Sequence, residues 1–148
     1  MYSADQLLDQ CMYFTTARLH RALARLVADC FASSGLAPNQ AFLLMTVQDR
    51  PGVTAGELAK ALHLSPSTLT RFLDKLESRA LVRRAKEGRS AKVEVTAKGA
   101  RLRPALEAGW AELYRRYAAA LGEAAARSLT ASMVKAGTTL EAVDFKHG

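Results

Sequence analysis

The chain has 148 residues, 49% of them hydrophobic, and a net charge of +7. That suffices for one packed domain, or one domain plus an oligomerisation element, and sets disorder aside. No run reaches the roughly 18 apolar residues of a membrane span, the opening MYSADQLLDQC lacks the apolar stretch of a secretory leader, and two cysteines make neither a disulfide framework nor a zinc finger, so a cytoplasmic protein is expected.

Ser3 to about Ser33 contains neither Pro nor Gly. Leu8, Cys11, Met12, Thr15, Leu19, Ala22, Leu23, Leu26, Val27 and Cys30 recur at helical spacing, and Leu7, Phe14 and Phe31 broaden the stripe. The pattern predicts one helix of about 30 residues, about 45 Å long, with more apolar surface than a small domain can cover. Such a helix packs on its own domain and on a second subunit. Ser33-Ser34-Gly35 ends it. Pro38 suits the first position of a second helix to Asp49, with Phe42, Leu43 and Val47 inward. Pro51-Gly52 is a turn, and Val53 forms a minimal strand.

Thr54-Ala55-Gly56-Glu57 reads as a capping box, opening a short helix with Leu58, Ala59 and Leu62 buried. His63 and Leu64 link it tightly to the next helix. There Ser65 caps, Pro66 takes the first helical position, and Leu69, Phe72, Leu73 and Leu76 face the core. Leu81 to Ala85 and Lys92 to Thr96 alternate like strands, joined by a hairpin tip at Glu87-Gly88-Arg89-Ser90. Thr96 caps a long helix to about Leu121, with a kink or restart near Pro104. After Gly122 comes a last helix, in which Leu129, Met133, Ala136, Leu140 and Val143 form a coiled-coil-like seam.

Charge singles out one segment. Ser65 to Lys92 carries eight basic residues, Arg71, Lys75, Arg79, Arg83, Arg84, Lys86, Arg89 and Lys92, against Asp74, Glu77 and Glu87. A polyanionic partner follows from that excess. On the helix from Ser65 the apolar residues take one face and leave Ser65, Ser67, Thr68, Thr70, Arg71 and Lys75 for DNA. Small hydroxyl residues near the helix start permit close approach to a groove, and the amides there favour a phosphate. Arg71 is long enough to reach a guanine edge, and Lys75 meets a phosphate. The basic hairpin behind adds Arg84, Lys86, Arg89 and Lys92, with Arg89 directed at a minor groove and Glu87 steadying it.

The runs GELAKALHLSPSTLTRFLDKLESRALVRR and EGRSAKVEVTAKG carry a resemblance. With the helical order around them, the chain resembles winged helix-turn-helix transcriptional regulators of the MarR (multiple antibiotic resistance regulator) family over nearly its whole length. The acidic-x-Arg wing tip is matched by Glu87-Gly88-Arg89, and the end of the second strand by Val95-Thr96-Ala97-Lys98-Gly99. Two positions depart: Glu87 stands where the family usually has Asp, and Ala80 where it usually has Gly. If the backbone at Ala80 is left-handed, alanine costs roughly 1 kcal/mol.

The resemblance implies a mainly α fold with a small antiparallel β-wing. Residues 1–35 would be an N-terminal dimerisation helix, 36–100 the DNA-binding lobe and 101–148 the C-terminal dimerisation helices, all intertwined in one domain. It implies a homodimer on a palindromic operator in double-stranded DNA, acting as a repressor. Two recognition helices set about 34 Å apart on one duplex face give the dimer its physical reason.

Family members commonly answer to small aromatic or phenolic molecules. Tyr13, Phe14, Phe42, Trp110, Tyr114 and Tyr117 fall on the helices that would line such a site, and Arg18 or His20 can meet an acidic ligand. Aromatic residues at helical spacing serve more often as core or interface than as pocket. A peroxide-sensing branch of the family has a reactive cysteine near the start of its first helix, and DQCMYF around Cys11 is similar. That branch pairs its cysteine with tyrosines of the second helix, where this chain has Phe42 and Leu43. Cys30 lies about 28 Å from Cys11 along one straight helix, so the two cannot bridge within it. His20, His63 and His147 form no metal-ligand pair at helical spacing, and neither metal nor cofactor is expected.

An enzyme is the first rival reading. No Gly-rich phosphate loop, nucleophile elbow or histidine pair with a carboxylate is present in the sequence. The second rival is a winged helix used for protein contacts, against which the basic excess argues.

Overall fold

The computed structural model describes residues 3–88, 90–143 and 145. Contacts divide the chain after Trp110 into two compact units. The first opens with α1 (Ala4–Gln10), where Ser3 and Gln6 form a capping box. Cys11 then adopts extended backbone, φ −86° and ψ 114°, and α2 (Met12–Phe31) begins after it. The single helix expected from Ser3 to Ser33 is therefore two. Asp9, Cys11, Tyr13, Phe14, Thr15 and Thr16 are all weak helix formers, and α1 buries no residue that would hold the axis straight. The Thr15 hydroxyl donates to the Cys11 carbonyl at 2.9 Å and secures the new start.

α2 ends in a 3₁₀ turn over Ala32–Ser34, after which Gly35 takes φ 70°. Here α2 meets the core, through Phe31 and Cys30, while Leu7, Leu8, Met12 and Tyr13 stay exposed. α3 (Pro38–Asp49) starts on Pro38 and buries Ala41, Leu43, Leu44 and Val47. Phe42, expected inward, is half-buried at the rim of the core, edge-on to Phe31 with ring centroids 5.3 Å apart.

α4 (Ala55–Ala61) and α5 (Pro66–Ser78) form the helix-turn-helix. The Thr54–Glu57 capping box is present in both directions. Each helix closes with the pair of main-chain bonds of a Schellman motif. In α4 these run from His63 N to Lys60 O and from Leu64 N to Ala59 O. In α5 they run from Ala80 N to Glu77 O and from Leu81 N to Leu76 O. The motif demands a left-handed residue, and His63 (φ 52°) and Ala80 (φ 56°) both take that conformation without being glycine. Leu58, Leu69, Leu73 and Leu76 are fully buried, whereas Leu62 and Phe72 are only half-buried.

β1 (Val82–Glu87) and β2 (Ser90–Val95) form the antiparallel ribbon, paired from Val82–Val95 out to Glu87–Ser90. The strands thus run two residues further toward the tip than their alternation suggests. Val53 supplies a third stretch: the Val93 amide donates to its carbonyl at 2.8 Å, and Thr54 bridges to Lys92. Thr96 caps α6 (Ala97–Ala100), and after a turn α7 (Arg103–Leu121) restarts with Pro104 in its first turn, where a missing N–H costs nothing. Gly99 is required at this corner: a Cβ there would lie 2.1 Å from the Leu81 carbonyl oxygen.

The second unit holds α7 from Ala111 onward and α8 (Glu123–Glu141). Leu129, Met133, Leu140 and Val143 of the expected seam are exposed, as is Val134. Among the described residues no helix is long and apolar enough to cross a membrane.

Candidate nucleic-acid interface

The first turn of α5 is built from hydroxyl residues. The Ser65 side chain accepts from the Thr68 amide at 3.2 Å and bonds the Thr68 hydroxyl at 2.9 Å, with Ser67 beside them at 3.2 Å. The Thr70 hydroxyl donates back to the Pro66 carbonyl. Ser65, Ser67, Thr70, Arg71 and Lys75 are exposed, and Thr68 is half-buried. The buried leucines point away from this edge, so α5 presents a continuous polar strip from its first turn to its last. Among the described residues Arg71 and Lys75 make no ion pair, which leaves both cations available.

The ribbon behaves differently. Its register places Arg84 and Lys86 on one face, since strand side chains alternate, and Lys92, opposite Ala85, on the other. Three of the four ribbon residues named as joint DNA contacts are thus split between two faces. Lys86 is exposed and Lys92 half-buried. Arg83 pairs across the strands with Glu94 at 2.8 Å. Arg84 turns toward α5, where its Nε donates to Glu77 and its Nη2 to Asp74. The hydrogen bond that Arg84 donates to Asp74 raises the Arg84 pKa above its ordinary value; partial burial opposes this and Glu77 adds to it. Its charge is already matched within the protein, a pairing that the run of basic residues conceals. The signal was present: Asp74 and Glu77 stand three apart, on adjacent turns of one helix edge. Arg89 lies outside the described residues, as does the contact expected between it and the Glu87 side chain.

The model of the MarR family matches residues 36–92, the helix-turn-helix and most of the ribbon. The chain is 26% identical over 154 residues to the HTH-type transcriptional repressor MdtR of Bacillus subtilis strain 168, covering 100% of this chain and 99% of that protein. Its fold is similar to that of the transcriptional repressor CouR bound to a 23-mer DNA duplex, with a TM-score of 0.78 and 22% identity over 93% of this chain and 99% of that one. CouR from Rhodococcus jostii RHA1 bound to p-coumaroyl-CoA is likewise similar, with a TM-score of 0.73 and 23% identity over 86% of this chain and 92% of that one.

Over its helix-turn-helix and ribbon the chain resembles the MarR family.

The winged-helix fold carries a second feature, the aromatic residues of its helices. Phe42 and Trp110 meet edge-on with centroids 5.9 Å apart. They line a cavity of about 440 Å³ together with Met45, Thr46, Asp49, Arg50 and Leu62. Of the eight residues named for ligand binding, Phe42 and Trp110 are brought to one cavity. Tyr13, Arg18 and His20 are exposed on α2, with Arg18 near Asp9 at 3.9 Å, and Phe14 is half-buried. Tyr114 lies in the second unit, edge-on to Tyr117 and 3.4 Å from Glu123 and from Arg127.

Sequence reading missed Met45, Thr46, Asp49 and Arg50. Phe42, Met45 or Thr46, and Asp49 follow helical spacing, so the α3 face was available as a signal. Asp49 is held at the rim by Arg103, 2.9 Å away, which also pairs with Glu107.

Cys11 is an exposed free thiol in the extended residue between α1 and α2, and Cys30 is free and buried. Among the described residues no cluster of three His, Cys, Asp or Glu side chains is arranged to hold a metal. His147 lies outside the described residues.

Proposed function

We propose that the protein is a sequence-specific double-stranded-DNA-binding repressor that works as a homodimer on a palindromic operator and is released by a small aromatic ligand. One observation carries this reading: the polar edge of α5, where Arg71 and Lys75 make no ion pair among the described residues, standing beside a basic ribbon. Ser65, Ser67 and Thr68 meet a phosphate at the start of α5, Arg71 reads a base edge, and Thr70 and Lys75 flank it. Lys86, Arg89 and Lys92 supply ribbon contacts to the backbone and minor groove. The exposed apolar row of α8 in the second unit, and separately Leu7, Leu8 and Met12 of the first, are surfaces that pairing of two copies covers. The effector occupies the cavity under Phe42 and Trp110, whose aromatic walls suit a planar ring. The phenolic acyl group of the ligand that CouR holds supports that chemistry.

Binding to a duplex at rising salt tests the reading. A DNA reader loses affinity steeply, because each neutralised phosphate releases counterions. Absence of any duplex binding at low salt would favour a winged helix that contacts protein.

A further inference from the structure

Arg84 grips two positions of the recognition helix at once. Its Nε lies 2.6 Å from Glu77 Oε2 and its Nη2 lies 2.5 Å from Asp74 Oδ1. The planar guanidinium fixes direction as well as distance, which a lysine ammonium does not. The Arg84 side chain is 30% exposed, so solvent screens this pairing less than it screens the open ion pairs elsewhere on the molecule.

The other attachments of the ribbon lie at its base and on its far edge. Thr96 ties the base to Ala80 and Leu81 through its hydroxyl. Val93 and Lys92 tie β2 to Val53 and Thr54. β1 belongs to a two-stranded sheet and has no further strand beside it among the described residues. Arg84 sits opposite Val93, so it ties the β1 edge to α5 at the level where β2 is tied to Val53. It also offsets one of the two negative charges that Asp74 and Glu77 place on a helix facing phosphates.

We infer that Arg84 is a positioning residue, locking the ribbon at one angle to α5 through Asp74 and Glu77 and thereby setting discrimination between operator and random DNA. This rests on the DNA-reading proposal above. Arg84 touches no nucleotide in this arrangement; it makes the reach of α5 and the reach of the ribbon fit one groove geometry at the same time.

The test compares four full-length proteins: wild type, Arg84→Gln, the double variant Asp74→Asn with Glu77→Gln, and the exchange Arg84→Glu with Glu77→Arg. Each is titrated against a duplex selected from a random pool by the wild-type protein, and against unselected duplex, from about 50 to 200 mM salt. Circular dichroism confirms that each is folded. Arg84→Gln is expected to lose about tenfold or more on the selected duplex and less than about threefold on the unselected one. Its salt slope on unselected duplex stays unchanged, whereas a lost phosphate contact would lower that slope by about 1. The double variant keeps Arg84 and loses two negative charges; it is expected to lose discrimination all the same. The exchange is expected to regain part of it. A lowered slope for Arg84→Gln, stronger binding of the double variant with discrimination intact, or an exchange no better than the single change would each overturn the inference. Wild type that binds neither duplex would instead sink the DNA-reading proposal on which it rests.

Discussion

The hydroxyl of Thr96 donates to the carbonyl of Ala80 at 2.6 Å, and so the left-handed residue that closes α5 is held from sixteen positions further along the chain. Lys98 adds a bond from its ammonium to the neighbouring Arg79 carbonyl at 3.0 Å. The end of the recognition helix and the start of α6 are one joint. That joint tolerates a strained backbone because the Schellman bonds and Thr96 together determine it.

Relief of that strain is measurable. Ala80 has φ 56°, a conformation unfavourable to a residue with a Cβ. Ala80→Gly is expected to stabilise the protein by about 1 kcal/mol, the steric gain exceeding the added freedom of the unfolded chain. At this size that raises the melting temperature by about 3 °C, read by calorimetry. An unchanged or lower melting temperature would show that the neighbours have already absorbed the cost.

Gly99→Ala acts in the opposite direction. The added Cβ would meet the Leu81 carbonyl oxygen at 2.1 Å, and a backbone atom cannot rotate away. The joint between α6 and the base of β1 must open, at an expected cost of about 3 kcal/mol. Urea unfolding at constant m-value gives this number. Duplex binding is expected to weaken as well, since the same joint carries Thr96.

Glu112 gives the second unit an acid-sensitive contact. Hydrogen bonds from Arg115, then from Arg116, bring its carboxyl from the ordinary range down to about 2. A carboxylate with a lowered pKa in the folded state contributes stability that is present above its unfolded value and lost as pH falls through the folded one. The loss therefore falls between about 4.5 and 2. Glu112→Gln is expected to flatten that part of the stability curve, monitored by helical circular dichroism. The difference shrinks at high salt because the group lies at the surface.

Arg71 and Arg89 should separate by kind of effect. Arg71→Ala is expected to lose about 1–3 kcal/mol of discrimination at one base position of the operator. Arg89→Ala is expected to weaken selected and unselected duplex alike and to lower the salt slope by about 1. Competition binding with single-base operator variants distinguishes them. An Arg71→Ala protein with intact sequence preference would remove that side chain from the groove.

The exposed row of α8 predicts a consequence for assembly. Met133→Glu combined with Leu140→Glu places two charges in the apolar seam, and a monomer is expected by analytical ultracentrifugation. Operator affinity is expected to fall by more than about a hundredfold, because two half-sites no longer bind as one unit. Effector binding at Phe42 and Trp110 should survive in that monomer, since both residues belong to the first unit.

Local rules account for what was legible in the chain alone. Thr54 with Glu57, Ser65 with Pro66, and Thr96 mark helix starts because a capping side chain acts within three residues of itself. The strand alternation after Leu81 and the restart at Pro104 are equally local. Fold class and the exposed edge of α5 followed from these signals, since a helix with one apolar face has only one way to turn. Tertiary structure decided the rest. The break at Cys11 goes with an α1 that buries none of its residues. The Phe42 and Trp110 cavity joins residues 68 positions apart, and no periodicity spans that distance. Arg84 is the plainest case: within a run of basic residues it looks equivalent to its neighbours. Only the crossing of β1 over α5 puts two carboxylates within its reach and turns it from the groove to the joint.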